Sequence, residues 1–523
     1  MKTSSKLRAL LIAAASSLLT LADNYAATLY WDVDGVTPGF STVVGAWNGT
    51  NAFWNDDSTG GAGGTTTATT STSDNLNFVQ ATTNTGSVTL TGTQNAGTIT
   101  YGSTVGAVTL TGGTLNLADA FTITNNSASA QTIASTISGA STSFTKGGTG
   151  TLALAYTTNT FNPGQIIITG GTLQIGSTAN GGSATTLNSG SFAGNISIAS
   201  GATLVFKSSS AQTLSGAISG AGAFIKQSTG TLTMSDLNTY TGKTSIQPTP
   251  GPTGGGTLIV SSFNSVNGGT PLLASSSLGA PTTVANGTID LGAAIQAAAA
   301  LQYSGATATG ETTDRIINII FNGNNTTRTL NASGSGLLRF TSAFTSSSTT
   351  VNNTFILTGN GSGQIDQGLP QLATAGLDKQ GTGTWTLGGS GLFTSPTKIT
   401  NGILNLSSAT ALQNSPFDTT NSVTGGAAAG LSIATTSLTL GGLTGTNPLA
   451  SRFATAGGYN TLAALTLNNG ANTTATYSGA IAEGATGMTL TKSGTGTQFL
   501  NGANTYTGLT SVNAGTLGSN GSF

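Results

Sequence analysis

A chain with no histidine and no cysteine lacks the commonest general base, the thiolate nucleophile and the soft metal ligands. What remains for chemistry is 15 carboxylates and 14 basic side chains spread over 523 residues. Glycosidic hydrolysis needs two carboxylates on one face, one donating a proton and the other attacking or activating water. Beyond residue 80 the acids are Asp119, Asp236, Asp290, Glu311, Asp314, Asp366, Asp378, Asp418 and Glu483, well separated along the chain. Glu311, Asp314 and Arg315 form the one local cluster, which reads as a solvated loop with a salt bridge. No catalytic residue, cofactor site or metal site is assigned, and the chain reads as a non-enzyme.

Other candidates are weaker. Asp-Val-Asp-Gly at 32–35, with Asp56 and Asp57, offers hard oxygen ligands around a glycine turn, as Ca²⁺ prefers. The later glutamate that closes a helical calcium loop is missing, so a turn with solvated aspartates is expected. Trp31, Trp47 and Trp54 have the chemistry to stack on sugars but read better as packing in a terminal cap. Thr-x-Thr triplets would make an ice-binding face only at a strict rung period. The gaps of 80, 153 and 113 residues between successive lysine motifs do not supply one. A net charge of -1 with scattered basic residues leaves no electrostatic footprint for nucleic acid.

The elements that would carry these side chains are written in a repeat. Ser-Val-Thr-Leu-Thr-Gly at 87–92 returns as Ala-Val-Thr-Leu-Thr-Gly at 107–112, and Ser-Leu-Thr-Leu-Gly-Gly stands at 437–442. Each alternates apolar and threonine, the period of a short strand with one buried face. A longer unit opens at Lys146, Lys226, Lys379 and Lys492. A second strand follows, and the distances from each lysine to Gly171, Gly256, Gly402 and Gly515 are 25, 30, 23 and 23 residues. That spacing suits one turn of a β-solenoid rather than a hairpin. Leu232 and Met234 are expected to face its core. Each motif lysine is expected to be an exposed ammonium beside a glycine turn, protecting the sheet edge.

Composition agrees. Charged residues are 6% of the chain, against about 25% in ordinary globular domains. The apolar 37% is dispersed in alternating triplets, which argues against disorder. Lys2, Lys6 and Arg8 precede a 13-residue apolar run at 9–21, too short to span a membrane and suited to a cleaved signal peptide over 1–27. Thr20 and Ala22 fit the cleavage positions, with Ala26 and Ala27 as alternatives. Residues 28–85 read as a Trp- and Asp-containing cap and 86–523 as the solenoid. The Ala-rich stretch at 292–302 is expected to be strand and loop rather than helix.

The unit from Leu490 to Leu517 resembles the autotransporter-associated β-strand repeat, also called the passenger-associated transport repeat. Lys492, Gly494, Gly496, Asn504, Tyr506, Thr507, Gly508, Gly515 and Leu517 carry the likeness. The copy at Lys226 keeps Asn238, Tyr240, Thr241 and Gly242; that at Lys146 has Phe161 for Tyr, and that at Lys379 retains little of the Asn-x-Tyr-Thr-Gly portion. The clearest copies are 144–176, 224–260, 377–406 and 490–517.

This resemblance implies an all-β, right-handed parallel β-helix with an atypical N-terminal cap. It also implies an exported passenger at the cell surface or outside the cell, acting as a stalk or adhesin, with repeats that assist outer-membrane passage and folding. Its expected partners are outer-membrane translocation machinery, or a barrel domain absent from this chain, and a surface polysaccharide or host surface. The residues ending at Phe523 lack the alternating strand of such a barrel, so truncation, release or another anchor is expected. The alternative is a secreted carbohydrate-binding or polysaccharide-active β-helix.

Overall fold

The computed structural model describes residues 26–519 except 36, 62, 81–82, 157–159, 178, 180–181, 248–254, 267, 270–271, 293–296, 349–351 and 422. The expected signal peptide lies outside the described residues but for 26–27. Short alternating strands stack in parallel, rung upon rung, into a β-solenoid. Parallel neighbours need a long crossover. Here the remaining strands and corners of each rung provide it.

The alternation fixes what lies inside. Phe121, Phe144, Ile166, Ile196 and Ile218 are successive register partners, all buried. Leu152, Leu173, Leu204 and Phe224 form the ladder on the adjoining face. Thr151, Thr172 and Thr203 form an intervening ladder at the surface. Each buried Leu or Ile contributes about 1.5–3 kcal/mol relative to exposure, and a one-residue slip would turn that whole set outward. Leu232 and Met234 are buried, as their parity requires.

The first strands depart from the stack. Thr28–Trp31 pairs antiparallel with Trp54–Asn55 and parallel with Asn75–Phe78, and Trp54–Asn55 pairs antiparallel with Thr66–Thr67. Trp31, Trp47 and Trp54 are buried together; Trp54 meets each of the other two with ring centroids 5.0 Å apart and nearly perpendicular planes. Asp32 is not the solvated aspartate its turn suggested. It is fully buried, accepting from the Gly35 amide at 3.3 Å and the Asn55 side chain at 3.1 Å. Of the Ala-rich stretch, 293–296 lie outside the described residues and Ala299–Tyr303 is a strand.

A long insertion separates Thr257–Val260 from Ile289–Leu291 and carries, among its described residues, a single four-residue helical turn, Val284–Gly287. No helix among the described residues is long and apolar enough to cross a membrane.

Candidate functional site at the repeat corners and beside the insertion

The four motif lysines are not exposed. Lys146, Lys226, Lys379 and Lys492 are each at most 1% accessible. Strand parity places them there: each follows a core residue, Phe144, Phe224, Leu377 or Leu490, by two positions and so points inward. The register partners on either side are apolar, Ile123 and Ile168 for Lys146, Phe206 and Ile246 for Lys226, Leu357 and Ile399 for Lys379, and Leu467 and Val512 for Lys492.

The ammonium groups are satisfied by backbone carbonyls. Lys146 Nζ donates to the carbonyls of Gly147 at 2.8 Å, Gly148 at 3.1 Å and Gly170 at 3.0 Å. Lys379 Nζ donates to Gln380, Gly381 and Asn401 at 2.6, 2.9 and 3.0 Å, and Lys492 Nζ to Ser493, Gly494 and Ala514 at 2.5, 2.9 and 3.3 Å. Lys226 makes the first two of these contacts, to Gln227 at 2.5 Å and Ser228 at 3.0 Å. Two acceptors belong to the lysine's own turn and the third to the following rung.

The second acceptor is presented by a left-handed residue in every copy, Gly148, Ser228, Gly381 and Gly494, with φ of +75°, +62°, +68° and +72°. Burial pushes Lys146 and Lys379 down to about 8 and Lys226 to about 7, and lowers Lys492 as well. The carbonyl dipoles act in the opposite sense, favouring the ammonium.

The rest of the motif closes the same corner. Asn238 accepts from the Ile218 amide at 2.9 Å and donates to Ser235 and Ser277 carbonyls at 2.8 and 2.9 Å. Asn504 repeats the first contact, accepting from Ile481 at 3.0 Å. Tyr240 and Tyr506 share hydrogen bonds with Thr244 and Thr510 at 2.7 and 2.8 Å. Phe161 and Phe393, both buried, stand 15 and 14 residues after their lysines, where Tyr240 and Tyr506 stand 14 after theirs. The copy at Lys379 therefore keeps the aromatic position that its divergent sequence concealed. A Cβ on Gly242 would lie 1.9 Å from the Gly222 carbonyl oxygen of the rung below.

The Glu311, Asp314 and Arg315 cluster is likewise not a solvated loop. Arg315 is buried and donates to the carbonyls of Gly287 at 2.7 Å, Leu278 at 2.9 Å and Phe263 at 3.1 Å. Glu311 Oε1 accepts from the Phe263 and Asn264 amides at 2.6 and 2.7 Å, and Asp314 accepts from Val266 and Gly269 at 2.6 and 3.1 Å. These charges hold the insertion through its backbone instead of pairing with one another. The ion pairs among the described residues are Lys243 with Asp290, Arg339 with Asp366 and Lys398 with Asp378.

Asp236 anchors the insertion from an earlier rung, its Oδ1 accepting from Ser261, Ser262 and Ser277 hydroxyls at 2.6, 2.8 and 2.5 Å. Asp236 and Glu311, distant in sequence, thus line one cleft of about 610 Å³ with Leu273, Tyr303, Thr309 and Arg339. Burial raises Glu311 despite its two amide donors. At Asp236 burial also acts upward, but the serine hydroxyls outweigh it and the carboxyl lies below its ordinary range. Among the described residues no group of three or more potential metal ligands converges.

Residues 144–175, 224–247, 377–406 and 490–518 match the family described as Passenger-associated-transport-repeat. In an alignment of 307 positions that covers 55% of the chain, it is 34% identical to the adhesin BmaC autotransporter of Brucella suis biovar 1 (strain 1330). The match covers 8% of that protein's length. No solved structure matches the chain. The chain is a β-solenoid carrying four passenger-associated transport repeats, each built around one buried lysine whose ammonium is held by backbone carbonyls.

Proposed function

We propose that the chain is an exported, adhesin-like β-solenoid passenger, capped by residues 28–85 and presented at or beyond the cell surface. The observation that carries this reading is the 34% identity to an adhesin autotransporter in a chain that bears four transport repeats. The repeats assist folding by a definite device. Lys146, Lys379 and Lys492 satisfy their charge fully only when the following rung brings its carbonyl, so in these three copies closure of one rung is coupled to closure of the next. Folding of this kind needs no disulfide and suits a chain emerging progressively through an outer membrane. A barrel carried outside this chain, or other outer-membrane translocation machinery, is the partner such export requires.

The test is adhesion by purified protein. Beads coated with the chain should be retained on cultured epithelial cells well above beads coated with the same protein after heat denaturation. Equal retention would overturn the adhesin reading.

A polysaccharide-active alternative draws on the juxtaposition of Asp236 and Glu311 in one cleft. It is second because one oxygen of each carboxylate is committed to holding the insertion, and because all four tryptophans are buried. Turnover of an uncharged or acidic polysaccharide by the purified chain would establish it.

A further inference from the structure

We propose that the cleft beside the 261–287 insertion docks an extended peptide segment alternating apolar and basic side chains, an inference that rests on the adhesin-like reading and assigns its contact site. Exposed apolar side chains are frequent along this part of the chain. Eight large apolar side chains are exposed among the described residues, and four of them, Leu237, Val284, Leu272 and Leu273, lie on the insertion or next to Asp236. Leu272 and Leu273 are 63% and 54% accessible. Leu273 lines the cleft and Leu272 is its chain neighbour, and adjacent exposed leucines beside a cleft mark a contact site more often than isolated ones do.

Charge selects the occupant. Asp236 and Glu311 contribute negative charge to the cleft, while Arg339 is neutralised by Asp366 at 2.9 Å. Buried Arg315 offsets only one of the three carboxylates Asp236, Glu311 and Asp314, so the negative charge beside Leu273 is in excess. A lysine or arginine laid across Leu273 would bury its aliphatic stem there and bring its head to the carboxylates. A saccharide would want an exposed aromatic face, and Tyr303, the aromatic residue of the lining, is 1% accessible. Ser261, Phe263, Val266 and Gly287 of the insertion are already held by Asp236, Glu311, Asp314 and Arg315, so docking need not order these points.

The experiment is fluorescence anisotropy with the purified chain and a labelled hexapeptide of alternating leucine and lysine. Controls replace every lysine by glutamate, or every leucine by serine. Leu273→Ser and Thr309→Lys change exposed side chains of the cleft, and circular dichroism identical to the parent certifies their fold. Saturable binding of the leucine–lysine peptide is expected, weakened at least about tenfold by either substitution and by high salt. Equal affinity in the variants, equal binding of either control peptide, or saturable binding of maltohexaose in place of the peptide would overturn the proposal. Lost peptide binding with bead adhesion retained removes the cleft and leaves the adhesin reading. Peptide binding without adhesion does the reverse.

Discussion

At the residue scale, the repeat lysine is the unexpected feature, because an ammonium among leucines and isoleucines is normally excluded. Its cost is met by carbonyls that the turn and the next rung would otherwise leave without donors. Lys379→Met keeps the length and removes the donor, stranding the carbonyls of Gln380, Gly381 and Asn401. The unfolding midpoint in urea should fall by the equivalent of about 2–4 kcal/mol; an unchanged midpoint would show that water, not the lysine, serves those groups.

The pH dependence follows from the sign of the shift. Between native values of about 7 to 8 and the ordinary 10.5, the unfolded chain holds protons the folded chain has released, so stability should climb with pH. Burial raises Tyr101, Tyr156 and Tyr240, so above about pH 10 the unfolded chain loses protons first and stability turns down. Urea midpoints at about pH 7 and 9.5 read the rising limb, which Lys→Met at all four positions should flatten; a midpoint that falls across that interval contradicts it. The inward position of these lysines was legible in the sequence. Phe144 and Lys146 share one strand parity, as do Leu490 and Lys492, but the assumption that a charge belongs outside overrode the period.

At the scale of the element, the repeat was readable because its cues are local. Alternation gave the strands, and the lysine-to-glycine spacing gave the rung. The interval of 14 residues from Lys379 would also have located Phe393, had spacing been weighed above residue identity. What could not be read was how closely rungs approach. Gly242 is required by the Gly222 carbonyl beneath it rather than by its own turn, and that neighbour is 20 residues away in sequence. Gly242→Ala should lower stability by about 1–3 kcal/mol in thermal unfolding, through overpacking. A neutral result would mean that the rungs there are further apart. The cleft was illegible for a similar reason. Nothing in the local sequence shows that the insertion folds back so that Asp236 and Glu311 meet, 75 residues apart.

At the scale of the whole molecule, each rung leans on its neighbours, so damage should stay near its origin. Leu232→Asp buries an unpaired charge within the ladder to Leu258. Native-state hydrogen exchange should lose protection over rungs near 203–260 and keep it near Leu465 and Leu490; uniform loss would make the solenoid a single cooperative unit.

The central claim is that one device recurs along the length of the solenoid, a buried lysine held by the carbonyls of its own turn and, in three of the four copies, by a carbonyl of the next rung. Amine acetylation of the native chain, read by mass spectrometry, tests it with internal standards. Lys243 and Lys398, with side chains 39% and 41% accessible, should label readily, while Lys146, Lys226, Lys379 and Lys492 should react only after denaturation. Labelling of the four at the rate of Lys243 and Lys398 would place them at the surface and contradict the account.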